Sequence, residues 1–120
     1  FMGLVGSEMC IRDRSIIYGI DPNKSLLKLF PVRGLIVSAK GLDYDFVSRC
    51  FFPITGVDED PVTGSAHTTL TPYWSKQLGK DSLSAKQVSS RGGELKCVLE
   101  GDRVIIGGEA VTYLKGSITI

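Results

Sequence analysis

One long helical pattern set among runs of strand pattern constrains this chain more than any other feature. Ala66, Leu70, Tyr73, Trp74 and Leu78 recur at spacings of four, three, one and four, which places them on one face of a helix. Gly79 supplies the stop. Pro72 falls inside the stretch, where its missing N–H and its ring cost on the order of 3 kcal/mol. Either the helix starts late, with Thr71 as cap and Pro72 at its first position, or it runs on from about Ser65 with a slight bend. The periodicity favours the second. Around this helix stand strand patterns. Leu35 to Ala39 is apolar and partly β-branched. Tyr44 to Phe52 alternates, with Phe46, Ser48, Cys50 and Phe52 on one face and Val47, Arg49 and Phe51 on the other, so both faces should be covered; Pro53 ends it. Beyond the helix, Leu83 to Ser89 alternates Leu83, Ala85, Gln87 and Ser89 against Ser84, Lys86 and Val88. Gly92-Gly93 marks a turn or bulge. Leu95 to Leu99 and Arg103 to Ile106 flank the short connection Glu100-Gly101-Asp102. Ala110 to Leu114 and Ser117 to Ile120 complete the set. About seven strands and one substantial helix predict an α+β domain whose rolled sheet wraps the helix.

Composition narrows the function classes. The 120 residues suffice for one domain with a core, and 42% hydrophobic against 22% charged residues is the balance of a globular chain rather than a disordered one. A net charge of +1 without a basic stripe argues against nucleic-acid binding. Apolar runs such as Phe51–Val57 fall far short of the roughly 20 residues of a membrane span, and no secretory signal is visible. Cys10, Cys50 and Cys97 form no CxxC pair and have no histidine-rich surroundings, so no metal site is expected. An odd number of cysteines without a signal points to reduced thiols and a cytoplasmic protein.

The ends of the pattern differ in character. Residues 1–14 keep neither periodicity for long, and Leu4 to Arg14 resembles a translated sequencing-adaptor tract. They are expected to be a non-native or disordered leader, with the domain proper spanning 15–120. Asp21-Pro22-Asn23 then turns the chain into a short helical turn, Ser25 to Phe30, expected to lie against the core. Residues 54–64 read as a loop rich in Gly, Asp and Pro.

That loop carries the chemistry-bearing segment, Asp58-Glu59-Asp60-Pro61-Val62-Thr63-Gly64-Ser65-Ala66-His67. A helix start presents unpaired N–H groups and partial positive charge. Gly64 leaves room for a ligand, while Thr63 and Ser65 add hydroxyls, so a carboxylate or phosphate can be held there. Asp60, just before it, can exchange a proton with such a ligand. The same residues also serve as ordinary helix caps in a solvated acidic loop. His67, the one histidine, reads as a packing or surface residue, and Arg49 as a strand-face ion pair or a substrate contact. The glycine spacing is neither a P-loop nor a nucleophile elbow. A hydrolase using Ser65 and His67 is disfavoured, because residues two apart on a helix face different sides.

Asp45-Phe46-Val47-Ser48-Arg49-Cys50-Phe51-Phe52-Pro53, then Glu59-Asp60-Pro61-Val62-Thr63-Gly64-Ser65-Ala66-His67, then Pro72-Tyr73-Trp74 follow in an order that resembles the second half of PhzF (phenazine biosynthesis-like) proteins. Leu35-Ile36-Val37-Ser38-Ala39 before these segments continues the match, as do Gln87, Ser90-Arg91-Gly92-Gly93 and Gly101-Asp102-Arg103-Val104 after them. The resemblance implies the diaminopimelate-epimerase-like fold, in which two similar domains each wrap a sheet round a central helix and the active site lies between them. It implies an isomerase that moves a proton by acid–base chemistry on a small carboxylate-bearing substrate, without cofactor. Asp60 matches that family's active-site aspartate, and Thr63, Gly64 and Ser65 match its substrate-carboxylate loop. The family's principal glutamate belongs to a first domain, expected to be missing here as a partner, which leaves this chain inactive alone and open to homodimer formation. The related epimerases use paired cysteines; Ser65 stands at the helix start instead, which disfavours that chemistry. A non-catalytic small-anion-binding domain of the same fold is the alternative.

Overall fold

The computed structural model describes residues 7–11 and 14–120, with side chains from Ser15 onward. Its elements are β1 (Ser7–Ile11), α1 (Arg14–Gly19), α2 (Lys24–Leu27), β2 (Leu35–Lys40), β3 (Phe46–Phe52), β4 (Val57–Asp60), α3 (Gly64–Leu78), β5 (Ser82–Gln87), β6 (Gly93–Glu100) and β7 (Arg103–Gly107). A 3-10 turn at Pro53–Thr55 joins β3 to β4. The strands form one seven-stranded mixed sheet in the order β1-β2-β3-β5-β6-β7, with β4 paired to β3 beside that path. β1 with β2 and β3 with β5 are parallel, and the remaining pairs are antiparallel.

Helical spacing and strand alternation meet in the core. Ala66, Leu70 and Trp74 of α3 are buried against Ile36 of β2, Phe46, Cys50 and Phe52 of β3, Leu83 and Ala85 of β5, and Leu95 and Cys97 of β6, with Ile106 of β7 packed at the margin. Five strands at about 4.8 Å spacing span roughly 19 Å, while a helix with its side chains is about 10–12 Å wide. Both flanks reach α3 only because the sheet rolls around it. Trp74 stacks on Phe46 with ring centroids 5.7 Å apart and donates its indole N–H to Ser38 Oγ at 3.2 Å. The opposite face of β2 and β3 is covered by α1, whose Ile17 is fully buried with Ala39 and Val47. The two-sided burial expected of β3 follows.

The helix is continuous from Gly64 to Leu78, with Pro72 inside it, and Gly79 closes it in the left-handed conformation at φ 68°. Several expectations need correction. The chain from Gly108 on is exposed and has no regular structure, so the strands expected at 110–114 and 117–120 do not form. Alternation gives these segments strand propensity, but pairing supplies the stability, and no edge among the described residues takes them up. The count of seven is made up instead by β1 and by β4, which lies in the stretch read as loop. Ser25 to Phe30 shortens to α2, capped by the Asn23 side chain accepting from the Leu26 N–H at 3.0 Å. Leu26, Leu29 and Phe30 are exposed rather than set against the core, since one helical turn ending before Pro31 has no length with which to bury a face. Of the expected leader, residues 1–6, 12 and 13 lie outside the described residues. Ser7–Ile11 pairs in parallel with β2, from Ser7 opposite Leu35 to Ile11 opposite Ala39, and Arg14 opens α1.

Candidate functional site

One edge of β3 has two different neighbours. Its first half pairs with β5, placing Ser48 opposite Gln87, and its second half pairs with β4, placing Cys50 opposite Asp60. The two neighbours part between Ser48 and Cys50. Asp60-Pro61-Val62-Thr63 leaves β4 at this fork and enters α3 directly.

The three acids of β4 are each taken by a different partner. Asp58 pairs with Lys24 at 3.0 Å on the surface. Glu59 receives Nε and Nη2 of Arg49 at 2.7 and 2.9 Å. Arg49 also donates through Nη1 to the carbonyls of Ile17, Tyr18 and Ile20, where α1 ends. A cation at a helix C-terminus satisfies the orphan carbonyls there, so the ion-pairing reading of Arg49 holds. Asp60 instead bonds a neutral group, accepting the Thr63 hydroxyl on Oδ2 at 2.6 Å.

Thr63 is the cap residue of α3, yet its side chain makes no cap bond to the helix. Its hydroxyl is turned toward Asp60. Its N–H goes to Gln87 Oε1 at 2.7 Å, and Gln87 Nε2 donates onward to the Asp60 carbonyl at 2.6 Å and to Thr63 Oγ1 at 3.1 Å. Nδ1 of His67 donates to the Thr63 carbonyl at 2.7 Å, while Nε2 faces Ser48 Oγ at 3.5 Å. His67 is fully buried and stacked on Phe46; burial holds its pKa below the ordinary value, with the Thr63 bond pulling the other way. Ser89 donates to the Pro61 carbonyl at 2.8 Å. A Cβ on Gly93 would stand 2.1 Å from Val62 Cγ2, so this glycine is what lets β6 lie against the loop.

Beyond this fastening the helix start is open. Thr63 is buried, whereas Gly64 and Ser65 are exposed, and a Cβ on Gly64 would meet nothing within 4 Å. A cleft of about 850 Å³ runs from Val62 and Gly64 past Arg91 and Gly93 to Glu109. The arrangement offers uncapped first-turn amides, a carboxylate of fixed orientation and an adjacent space of small-molecule size.

Of the residues singled out by sequence, Asp60, Thr63, Gly64 and Ser65 come together at this point. Ser65 and His67 do not; one faces solvent, and the imidazole of the other is engaged inside. Cys50 is buried beneath the loop, and desolvation pushes its thiol up to about 12, which leaves no thiolate at neutral pH. Among the described residues no three His, Cys, Asp or Glu side chains gather in a metal-holding group, and no helix is long and apolar enough to cross a membrane. Sequence reasoning named Gln87 in the alternation and in the resemblance but gave it no role, and it left His67 between a packing and a surface role. The signal for Gln87 was its alternation with Leu83 and Ala85, a polar residue on an inner, apolar face.

Comparisons with known proteins bear on the family and the fold. An uncharacterized isomerase of Pseudomonas aeruginosa is 58% identical over 99 residues, covering 82% of this chain and 38% of that protein. A mouse phenazine biosynthesis-like domain-containing protein is 49% identical over 118 residues, covering 89% and 41%. The crystal structure of a PhzF family protein from Enterococcus faecalis superposes with a TM-score of 0.84 at 47% identity, over 92% of this chain and 43% of that one. The chain thus spans about two fifths of the length of the relatives it matches, and its sheet rolled round α3 is the diaminopimelate-epimerase-like fold of those structures. The phenazine biosynthesis-like (PhzC-PhzF) family matches residues 9–116, and this chain belongs to that family.

Proposed function

We propose that this chain is the carboxylate-holding part of an isomerase that moves a proton within a small carboxylate-bearing molecule, the principal acid/base being supplied by a domain outside these 120 residues. The observation that carries this reading is the open start of α3 beside Asp60: the cap hydroxyl serves Asp60, and Gly64 and Ser65 stay accessible. First-turn amides attract an anion by about 0.3–1 kcal/mol at a surface, and up to about 2 kcal/mol where partly buried. Arg91 and Lys96 line the same cleft and add positive charge, which Glu94 and Glu109 oppose. Asp60, four residues before the helix start, is the carboxylate that positions or relays the proton on this reading. A proton that leaves one carbon and returns to another, with the double bond shifting between them, conserves every atom and electron, so the step needs no cofactor. The isomerase name of the Pseudomonas relative supports the reaction class. The buried thiols Cys50 and Cys97 fit a reducing, cytoplasmic setting.

The test is made on the full-length protein, incubated in deuterated water with a panel of small unsaturated carboxylates and followed by NMR. Wild type is expected to carry deuterium into one of them, and Asp60→Asn to slow this by about 100-fold or more. Incorporation unchanged by the substitution would remove Asp60 from the mechanism. Carboxylate binding without any incorporation would leave a small-anion-binding domain. Turnover by the 120-residue chain on its own would refute the shared active site.

A further inference from the structure

Gln87 stands apart from the other inner-face residues of the sheet. It is fully buried, it sits opposite Ser48 where β4 and β5 diverge, and its amide is spent on the loop rather than on β3. At the fork β4 ends at Asp60 while β5 continues along β3, and the N–H of Thr63 and the C=O of Asp60 both meet the Gln87 side chain there. A primary amide carries one acceptor and two donors in a plane. Here the acceptor takes the Thr63 N–H, one donor meets the Asp60 C=O, and Nε2 also reaches Thr63 Oγ1. That last contact has a consequence for the carboxylate. Occupied as an acceptor from Gln87, the Thr63 hydroxyl directs its own proton to Asp60 Oδ2.

We propose that Gln87 is a positioning residue of this site: its amide clamps Thr63 to Asp60 at the fork and, through Thr63, fixes the Asp60 carboxylate and turns the Thr63 hydroxyl away from the start of α3. The inference rests on the proposed anion site only for its functional meaning; the bonds themselves lie within the protein. Substitution by leucine removes both ends of the clamp at similar volume. Substitution by glutamate keeps the acceptor and loses the donor while ionised. Protonated, that glutamate regains an O–H donor toward the Asp60 C=O, so its defect should reverse on acidification, which a packing defect would not do.

Two readouts in the full-length protein separate this inference from the anion-site reading. The first needs no ligand: hydrogen exchange of the Thr63 N–H by NMR, each variant compared with wild type at the same pH. Gln87→Leu is expected to lose protection at this amide. Gln87→Glu keeps the acceptor for this amide, but its ionised carboxylate faces the Asp60 C=O and Thr63 Oγ1 without a donor. The loop is then expected to loosen, with protection falling partly at alkaline pH and recovering toward acid. Unchanged protection in Gln87→Leu, or a Gln87→Glu defect that does not depend on pH, overturns the proposal. Should Gln87→Leu fail to fold, Gln87→Glu decides alone. The second readout is the shift of the Gly64, Ser65 and Ala66 amides on titration with methanesulfonate, a monoanion ionised throughout this range. Affinity is expected to weaken about tenfold in Gln87→Leu, the worth of one lost hydrogen bond. A wild-type protein that does not respond to methanesulfonate contradicts the anion site and leaves the exchange result to judge Gln87. A wild-type response that Gln87→Leu does not weaken overturns the positioning role.

Discussion

His67 couples the loop to solution pH, although it lies out of reach of solvent. Its imidazole is stacked on Phe46 and bonded through Nδ1 to the Thr63 carbonyl, and burial disfavours its charged form. In the unfolded chain the same side chain takes up a proton as pH falls through about 6.5. The folded state resists that proton, so the unfolded state binds more protons below this point. The contribution of neutral His67 is therefore complete above about pH 6.5 and is lost progressively as pH falls toward its lower, folded value. His67→Asn is expected to lower stability by about 1–2 kcal/mol at neutral pH, through lost stacking and a weakened bond to Thr63. Urea unfolding measured across pH should show the gap between wild type and variant narrowing below about 6.5. A gap of constant size would mean that His67 is not held neutral in the folded protein.

Among the elements, α3 shows how an unfavourable residue persists. Pro72 cannot bond the carbonyl one turn before it, and its ring crowds that carbonyl. Two hydroxyls support the neighbouring turns, Thr68 Oγ1 on the Ser65 carbonyl at 2.7 Å and Thr71 Oγ1 on the His67 carbonyl at 2.6 Å. Pro72 itself is exposed and contributes little packing. Pro72→Ala should raise stability by about 2 kcal/mol, the helix-interior cost less the loss of unfolded-chain restriction; an unchanged or lower denaturation midpoint would contradict this. The helix was legible because five apolar residues kept their spacing through the proline. β3 was legible because both its faces are apolar. β4 was not, since Asp58-Glu59-Asp60 has no strand propensity and is a strand only through pairing with β3 and the Arg49 bridge, neither of which shows in its own residue types. Asp60, Thr63, Gly64 and Ser65 could be named from their order, but the reason Thr63 leaves the helix uncapped lies in Gln87, 24 residues away.

Across the whole molecule, the segment after β7 leaves Val111, Tyr113, Leu114, Ile118 and Ile120 almost fully exposed. Strand-prone apolar residues without a partner edge favour pairing with another chain. The 120-residue chain is expected to self-associate with rising concentration, and removal of residues 109–120 to return it to a monomer; equilibrium sedimentation decides, and a monomeric full chain would count against the idea. The fork behaves differently, because it is complete. Gln87, His67 and Asp60, which together hold Thr63, all lie within this one chain. Under the proposed function, the grip on the anion is thus separable from whatever group performs the proton transfer. On that reading, a protein built on this plan can exchange its reaction by altering the part outside these residues, while the grip on the substrate stays with the fork.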